Sequence, residues 1–254
     1  MSHIVSHTQS HKGLVRKINE DACVDLYDAG VWVVADGMGG HAAGDVASQL
    51  VVETISSVVK RCQQVSVRVL TEALHQANKE LCHYSEQELN GNTAGSTVVI
   101  LLVDKFHYHF LWVGDSRGYI LRDNVLRQLT RDHSQVNEMV EQGLLDSSEA
   151  ESHELANVIT RAVGVDNHVS VDVVSGVWQP GDLFLLCTDG LNKELSDSEI
   201  KQYLNNNIAD ANKALLHSTL VAGARDNVTT ILVKLADQNN VNGKDVTIPK
   251  YLKL

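Results

Sequence analysis

Four acidic dipeptides lie at the borders of apolar runs, and their placement is the strongest constraint on how this chain can fold. They are Asp36-Gly37, Gly114-Asp115, Asp189-Gly190 and Asp226-Asn227. The first three directly follow runs that are typical of buried strands, and the fourth directly precedes one. If these strand ends converge, several negative charges meet where the dielectric constant is low, which is unfavourable unless a cation is present. The pattern therefore predicts a divalent metal site.

The size and composition indicate an ordinary globular protein. The chain has 254 residues, of which 43% are hydrophobic, so it is long enough for one large domain or two small ones. It contains no apolar stretch of roughly 20 residues, the length that crosses a bilayer, and its first residues lack the regions of a signal peptide. The 4 cysteines form no Cys-x-x-Cys pair. We therefore expect a cytoplasmic protein without a membrane partner or a disulfide framework.

The charge of the chain argues against nucleic acid as a partner. The net charge is −11 at pH 7, from 32 acidic and 21 basic residues. A surface of this sign repels phosphate backbones. The same sign results when a protein reserves carboxylates for cations, although solubility alone also accounts for it.

The order of apolar patterns predicts a single-domain α+β protein. The predicted strands are residues 22–26, 31–35, 96–103, 107–113, 118–122, 125–128, 169–177, 182–188 and 227–235. The predicted helices are residues 44–61, 67–84, 196–204 and 209–223. Two consecutive helices after a hairpin disfavour a βαβ repeat, and the closely spaced strands that follow indicate an antiparallel meander. We expect stacked antiparallel sheets with helices outside them.

Three segments differ from this pattern. Residues 130–157 are polar and helix-prone, which is typical of a mobile, mostly helical insertion. Residues 238–254 lack periodicity and are expected to form a tail, which leaves residues 1–237 as the domain. Residues 1–12 carry three histidines at intervals of four. We interpret these as incidental histidines of a floppy terminus rather than as a metal site.

The acidic dipeptides favour magnesium or manganese over zinc or copper. Carboxylate oxygens without His or Cys partners are hard ligands, and two such ions can activate a water between them to attack phosphorus. The glycines after Asp36 would let a backbone carbonyl serve as a further ligand. Arg16, shortly before Glu20 and Asp21, has a planar fork that suits two phosphate oxygens. Each feature alone is weak, because Asp-Gly is a common turn and Glu20 and Asp21 could simply be exposed.

Eight short segments place these features in a fixed order. They are VRKINEDA (15–22), VVADGMGGHAAGDVAS (33–48), AGSTVVILLV (94–103), WVGDSRGYILR (112–122), LTRDHS (129–134), ITRAVG (159–164), GDLFLLCTDGL (181–191) and RDNVTTILV (225–233). Together they extend from about Arg16 to Leu235, and they resemble the metal-dependent serine/threonine protein phosphatases of type 2C, in particular the compact bacterial members. The resemblance implies a central antiparallel β-sandwich flanked by helices on both sides, with residues 130–157 as a flap beside the active site.

The resemblance also implies a set of metal-binding residues. They are Glu20, Asp21, Asp36, Gly37, Asp115, Asp189 and Asp226. Asp36 resembles the carboxylate that bridges two ions, with the carbonyl of the next residue on one of them. Glu20 and Asp21 match positions that act mainly through metal-bound waters. Asp115 matches the position that, together with Asp189, helps to hold a third ion in bacterial relatives.

The implied catalytic residues are Arg16, Asp36 and His41. Arg16 resembles the arginine that binds the substrate's phosphoryl group. Some relatives carry a histidine where this chain has Met38, and that histidine protonates the leaving oxygen. Methionine cannot donate a proton, whereas His41 lies nearby and has an ordinary pKa near 6.5. The general acid is therefore His41, a metal-bound water, or absent.

The function implied is hydrolysis of phosphoserine and phosphothreonine in proteins by a water that bridges two Mn²⁺ or Mg²⁺ ions. The expected partners are phosphorylated proteins, including a serine/threonine kinase and its substrates, and the expected state is a monomer. Two alternatives remain open at this point. One is an inactive phosphatase-like module that binds a phosphorylated partner, and the other is a metal hydrolase of small phosphate esters.

Overall fold

The computed structural model describes residues 3–39, 43–90, 92–146, 149–150 and 153–236. Within these residues, eleven strands and six α-helices form the fold. The strands are β1 (His3–His11), β2 (Asp21–Leu26), β3 (Val31–Gly39), β4 (Ala94–Ser96), β5 (Val98–Val103), β6 (His107–Val113), β7 (Arg117–Arg122), β8 (Val125–Gln128), β9 (Asp172–Val177), β10 (Leu183–Cys187) and β11 (Val228–Ala236). The helices are α1 (Gly44–Arg61), α2 (Val67–Glu88), α3 (Gln135–Glu141), α4 (Asp189–Asn192), α5 (Asp197–Tyr203) and α6 (Ile208–Ala222).

Two antiparallel sheets stack face to face. One has the strand order β1-β11-β10-β7-β8, and the other has the order β2-β3-β5-β6-β9, with β4 added beside β3. Helices α1 and α2 cover the outer face of the second sheet, while α5 and α6 cover the outer face of the first. The layers therefore run helix, sheet, sheet, helix, and the predicted α+β sandwich is confirmed.

The central strands are apolar on both faces because each sheet is covered on both sides. Along β3, Trp32 and Val34 point towards the opposite sheet, whereas Val31, Val33 and Ala35 pack towards α1 and α2. Strand β10 follows the same rule, since alternate side chains contact the inter-sheet core and the α5–α6 layer. This alternation explains why both strands read as continuous apolar runs in the sequence.

Aromatic rings fill the space between the sheets. The ring of Phe184 lies 5.0 Å from that of Tyr108 and 5.9 Å from that of Phe110, measured between centroids. Both phenylalanines are fully buried. Tilted aromatic pairs at these separations add to the stabilisation that burial provides. The contacts join β6 of one sheet to β10 of the other.

Side-chain caps fix where several helices begin. Ser66 accepts a hydrogen bond from the backbone N–H of Val69 at the start of α2. At the start of α5, Ser196 and Glu199 form a reciprocal capping box. In the described part of the chain, no helix combines the length and apolarity needed to span a bilayer.

The interpretation of the N-terminal residues as a floppy segment is wrong. Strand β1 pairs with β11 along its whole length, from His3 opposite Ala236 to His11 opposite Val228. Ile4 packs towards the inter-sheet core, and Asn212 of α6 donates a hydrogen bond to the backbone oxygen of His7 at 2.8 Å. The sequence did not predict this strand because its composition is polar, and an edge strand buries only part of its side chains.

Two further segments differ from expectation. Within the described part of residues 130–157, the only α-helix is α3, so the flap is less helical than predicted. Its polar sequence supplies too few apolar side chains to hold more helix against the body. The predicted strand 96–103 is divided into β4 and β5 at Thr97. The predicted tail, residues 238–254, lies outside the described residues.

We predict that Phe184→Ala destabilises the protein by about 3–5 kcal/mol, because it leaves a cavity between the sheets. The measurement is urea unfolding followed by circular dichroism. Phe106→Ala is a matched control, since the Phe106 side chain is 60% exposed. It should change the free energy of unfolding by less than about 1 kcal/mol. Equal effects of the two variants would contradict the assignment of the core.

Candidate active site

Strand ends from both sheets meet at one edge of the sandwich. Asp36 in β3 lies opposite Asp21, the first residue of β2, in the antiparallel register. Asp115 lies in the connection from β6 to β7, where the chain crosses from one sheet to the other. Asp189 directly begins α4 after β10, and Asp226 shortly precedes β11. Acidic residues that are far apart in sequence are thus brought together, as the sequence predicted.

These residues surround a cavity of about 380 Å³. The predicted site residues that line it are Arg16, Glu20, Asp36, Gly37, Asp115, Asp189 and Asp226. The Asp21 side chain is close enough to be the main charged neighbour acting on Asp36. Met38 lines the cavity, whereas His41 lies outside the described residues. The proposed role of His41 therefore stays a prediction.

Burial and mutual repulsion disfavour the ionised forms of these carboxyls. Burial raises the pKa of Asp36 well above its ordinary value, and Asp21, Asp189, Asp115 and Asp226 raise it further. Burial likewise raises the pKa of Asp21 and of Asp115 to about 7 each, with Asp189 adding to both shifts. Strongly shifted carboxyls in one cavity are typical of a functional site.

Two basic side chains compensate part of this charge. Arg16 Nη2 donates to Asp226 Oδ2 at 2.8 Å, and the Arg16 side chain remains 49% exposed at the cavity edge. Lys193 forms an ion pair with Asp189 from one helical turn further along the chain. Lys193 was not identified from the sequence. Its spacing of four residues from Asp189, at a helix start, is the signal that could have revealed it.

The donor atoms present fit hard divalent ions. The set consists of carboxylate and backbone oxygens, which suit Mg²⁺ or Mn²⁺. One oxygen each of Asp21 and Asp189 is buried without a hydrogen-bond partner among the described residues, so each has a free lone pair within the cluster. No group of three or more His, Cys, Asp or Glu side chains in the described ranges is already drawn together as a ligand set. Asp189 and Asp226 instead turn one oxygen each towards a basic side chain.

Gly37 permits a close approach of β3 to the start of α1. A Cβ atom at this position would lie 1.8 Å from the backbone oxygen of Gly44 and 2.8 Å from that of Glu20. The Gly37 N–H also donates to the Glu20 oxygen at 3.0 Å. Any other residue would force these three chain segments apart. Gly37 thereby brings the Glu20 segment against the end of β3.

Two polar side chains hold the acidic segments in place, and sequence reasoning had given them no role. Thr97, at the break between β4 and β5, accepts from the Asp36 N–H at 3.1 Å and lies 2.7 Å from the hydroxyl of Ser116. Asn227 accepts from the Glu20 N–H at 2.7 Å and donates to the backbone oxygens of Lys12 and Ile18 at 2.9 Å. It therefore fixes the loop that carries the phosphate-binding candidate Arg16. Both lie inside the segments that carried the resemblance.

His133 connects the start of the flap to the turn before Asp115. Its Nδ1 accepts from the Gly114 N–H at 3.0 Å, and its ring stacks on Trp112. Its Nε2 lies 3.2 Å from Asp172 Oδ2. Because Nδ1 accepts a hydrogen bond, we assign a neutral imidazole whose Nε2 proton faces Asp172, with Arg161 Nη1 also 3.1 Å from Nε2. Burial and the nearby Arg161 lower the pKa of His133, in agreement with a neutral ring.

The fold and the cavity together define a metal-dependent hydrolase of phosphate esters: an acidic oxygen cluster for hard cations, with an arginine at its edge. The sequence model of protein phosphatase 2C matches residues 9–232. The chain belongs to the protein phosphatase 2C family. Family membership confirms the predicted class of enzyme, a metal-dependent serine/threonine protein phosphatase with Mn²⁺ or Mg²⁺ as its cofactor.

Individual relatives agree with this assignment. The chain is 35% identical over 236 residues to the serine/threonine phosphatase stp of Listeria monocytogenes, covering 89% of this chain and 94% of that protein. PppA of Pseudomonas aeruginosa, described as a key regulatory component of T6SS, is 41% identical with a TM-score of 0.82. That comparison covers 92% of this chain and 98% of PppA. The catalytic domain of PstP in complex with 2 manganese ions is 32% identical with a TM-score of 0.84, covering 93% of this chain and 100% of PstP's domain.

We predict that His133 makes the fold acid-sensitive. A histidine with a lowered folded-state pKa stabilises the fold above its ordinary pKa, and this contribution is lost as pH falls through the lowered value. His133→Gln should therefore remove part of the fall in Tm between about pH 7 and pH 5. At about pH 8 it should cost about 1–3 kcal/mol, because the Gly114 N–H loses its acceptor.

The measurement is thermal unfolding of both proteins across this pH range. His217→Gln is the control, because His217 is an exposed residue of α6. It should leave the pH profile of the Tm unchanged. A His133→Gln profile parallel to that of the parent protein would show that His133 does not titrate on unfolding.

Proposed function

We propose that the acidic cavity is the site where phosphoserine and phosphothreonine side chains of proteins are hydrolysed. The observation that carries this proposal is the convergence of Asp36, Asp189 and Asp226 with Arg16 around one cavity of a protein phosphatase 2C fold. Retention of these side chains argues against an inactive binding module. A second cavity, lined in part by flap residues, adjoins the acidic cavity and favours a protein substrate over a small phosphate ester.

The carboxylates have distinct tasks in this proposal. Asp36, Asp189 and Asp226 would hold two ions directly, together with the Gly37 carbonyl, while Glu20 and Asp21 would act through waters. When bound, the ions activate a water for attack on phosphorus and neutralise the phosphoryl charge. The chain orients its ligands through hydrogen bonds, since Thr97 holds the Asp36 backbone and Thr188 donates to Asp21 at 2.9 Å.

Arg16 binds the phosphoryl group. Asp226 holds its guanidinium at the cavity edge through a single nitrogen, so other N–H groups of the fork are available to phosphate oxygens. The partly exposed side chain can reach a substrate that enters from solution. Binding of this kind orients the phosphorus towards the acidic cluster and stabilises negative charge on the oxygens.

A second cavity of about 390 Å³ adjoins the first beside the flap. It shares Asp115, Asp189, Lys193 and Asp226 with the acidic cavity and continues between α4 and the flap residues around Asn157. We assign it to the polypeptide that flanks the phosphorylated residue. The flap, residues 130–157, would then influence which phosphoproteins gain access.

The wider biological setting belongs to the same proposal. A serine/threonine kinase and its substrates are the expected phosphoproteins, the protein is expected to be monomeric, and its location is expected to be cytoplasmic. Residues 1–237 would form the catalytic domain, with residues 238–254 as a tail. The description of PppA as a regulatory component supports a role in signalling.

We predict that Asp36→Asn reduces kcat/KM on a phosphothreonine peptide by about a hundredfold or more. The ions that would neutralise negative charge in the transition state lose a carboxylate ligand in this variant. The measurement is phosphate release with Mn²⁺ and after chelation. Asp28→Asn, at an exposed position, is the control and should keep full activity. Activity that survives chelation, or unchanged turnover by Asp36→Asn, would falsify the proposal. Faster turnover of sugar phosphates or nucleotides than of phosphopeptides would instead favour a small-ester hydrolase.

We predict that Arg16→Ala raises the KM for the phosphopeptide by about tenfold to a hundredfold, because charge-assisted hydrogen bonds to the phosphoryl group are lost. Arg16→Lys should recover only part of this loss, since an ammonium cannot donate in a fork. Lys17→Ala controls for the general charge of the loop. If the KM of Arg16→Ala equals that of the parent protein, the arginine does not bind phosphate.

A further inference from the structure

Lys193 is a basic side chain inside a site that otherwise collects carboxylates. It follows the last residue of α4, and its backbone N–H donates to the Asp189 backbone oxygen at 2.9 Å. This turn of helix aims the ammonium back at the Asp189 carboxylate, with which it forms an ion pair. The side chain of Lys193 is 34% exposed and that of Asp189 is 11% exposed, so the pair is partly withdrawn from water.

The surroundings of Lys193 distinguish it from a surface helix pair. It lines both the acidic cavity and the adjoining cavity beside the flap. Burial disfavours its charged form, but Asp189 most strongly, then Asp115 and Asp226, outweigh burial and raise the pKa of Lys193. In turn, Lys193 opposes the upward shift in the pKa of Asp115. Asp115 and Asp189 line the same two cavities as Lys193, so the ammonium lies at the end of the cluster that carries these two carboxylates.

A divalent ion at this end would share the Asp189 carboxylate with Lys193, because the ammonium occupies Oδ2 while Oδ1 has no hydrogen-bond partner among the described residues. An oxygen of Asp189 that accepts from an ammonium is not available to coordinate a metal at the same time, and two cations at this separation repel. The lysine is covalently attached, so it acts at a high effective concentration that does not depend on the supply of metal. Arg16 differs from Lys193 in two respects, since it pairs with Asp226 rather than Asp189 and its side chain is 49% exposed against 34% for Lys193.

We propose that Lys193 is a built-in counter-cation that competes with a divalent ion at the Asp115–Asp189 end of the site. This inference rests on the proposed function, since it concerns the same metal cluster. Its consequence is that the ammonium weakens the binding of the third ion relative to the same chain without this charge. Asp115 stays the predicted ligand of that ion, and Lys193 competes for Asp189, the residue with which it forms an ion pair.

The test compares Mn²⁺ binding by the full-length protein and by Lys193→Met, which keeps the length of the side chain without its charge. Equilibrium dialysis with metal analysis counts the ions, and Mn²⁺ paramagnetic resonance measures the affinity of the weakest site. We expect Lys193→Met to bind the third ion at least about tenfold more tightly, corresponding to the loss of one competing cation. Lys193→Arg should bind like the parent protein, and Lys60→Met, on the exposed end of α1, controls for net charge.

A double variant locates the gained site. Lys193→Met combined with Asp115→Asn should lose the third ion again, because one of the two carboxylates that would hold it is absent. Thermal unfolding supplies a readout independent of ion counting. Lys193→Met should have a lower Tm than the parent in chelator and a larger rise in Tm with Mn²⁺, since ligand binding stabilises the folded state.

One outcome would overturn the inference alone: a Lys193→Met variant with the parent's weak-site affinity. A parent protein that binds no Mn²⁺ would overturn the proposed function as well. The phosphopeptide assay with Asp36→Asn separates these cases, because it does not depend on the third ion.

Discussion

Repulsion among buried carboxylates is the constraint on which the rest of this structure depends. Asp21, Asp36, Asp115, Asp189 and Asp226 meet at one edge of the sandwich, and burial with mutual proximity raises the pKa of several of them. Such a cluster is costly to assemble unless positive charge accompanies it. Part of that charge is built into the chain, and the oxygens that it leaves free suit hard divalent ions. The same electrostatic repulsion that opposes folding therefore creates the affinity for metal ions.

The site belongs to both sheets and to neither alone. Asp21 and Asp36 come from one sheet, Asp189 and Asp226 flank strands of the other, and Asp115 lies where the chain passes between them. The aromatic packing that joins the sheets therefore also helps to hold the two halves of the acidic cluster together. Thr97 adds a local link, since its hydroxyl contacts both the Asp36 backbone and Ser116. The packing between the sheets and the arrangement of the acidic side chains are therefore linked in this fold.

The sequence revealed the acidic cluster because each aspartate stands at the border of an apolar run, and the alternation of buried strands made those borders visible. The layer order was also predictable from the succession of strands and helices. Strand β1 was missed because its polar residues conceal an edge that α6 and β11 complete. Asn227 was missed because its role depends on contacts between distant segments: its side chain accepts a hydrogen bond from the Glu20 N–H. Lys193 was missed although its pairing with Asp189 is local, because only its place in the acidic cavity gives that pair a role. The periodicity of apolar residues carries no information about contacts between segments that are distant in the sequence.

The pairing of β1 with β11 has a practical consequence for handling the molecule. Strand β11 runs for 9 residues from Val228, beside the acidic edge, to Ala236. At about 3.4 Å per residue, its far end lies roughly 27 Å away from its start. A fluorophore or surface anchor placed at that far end would leave the acidic cavity open to solution. Large phosphoproteins could then reach the cavity of an immobilised enzyme.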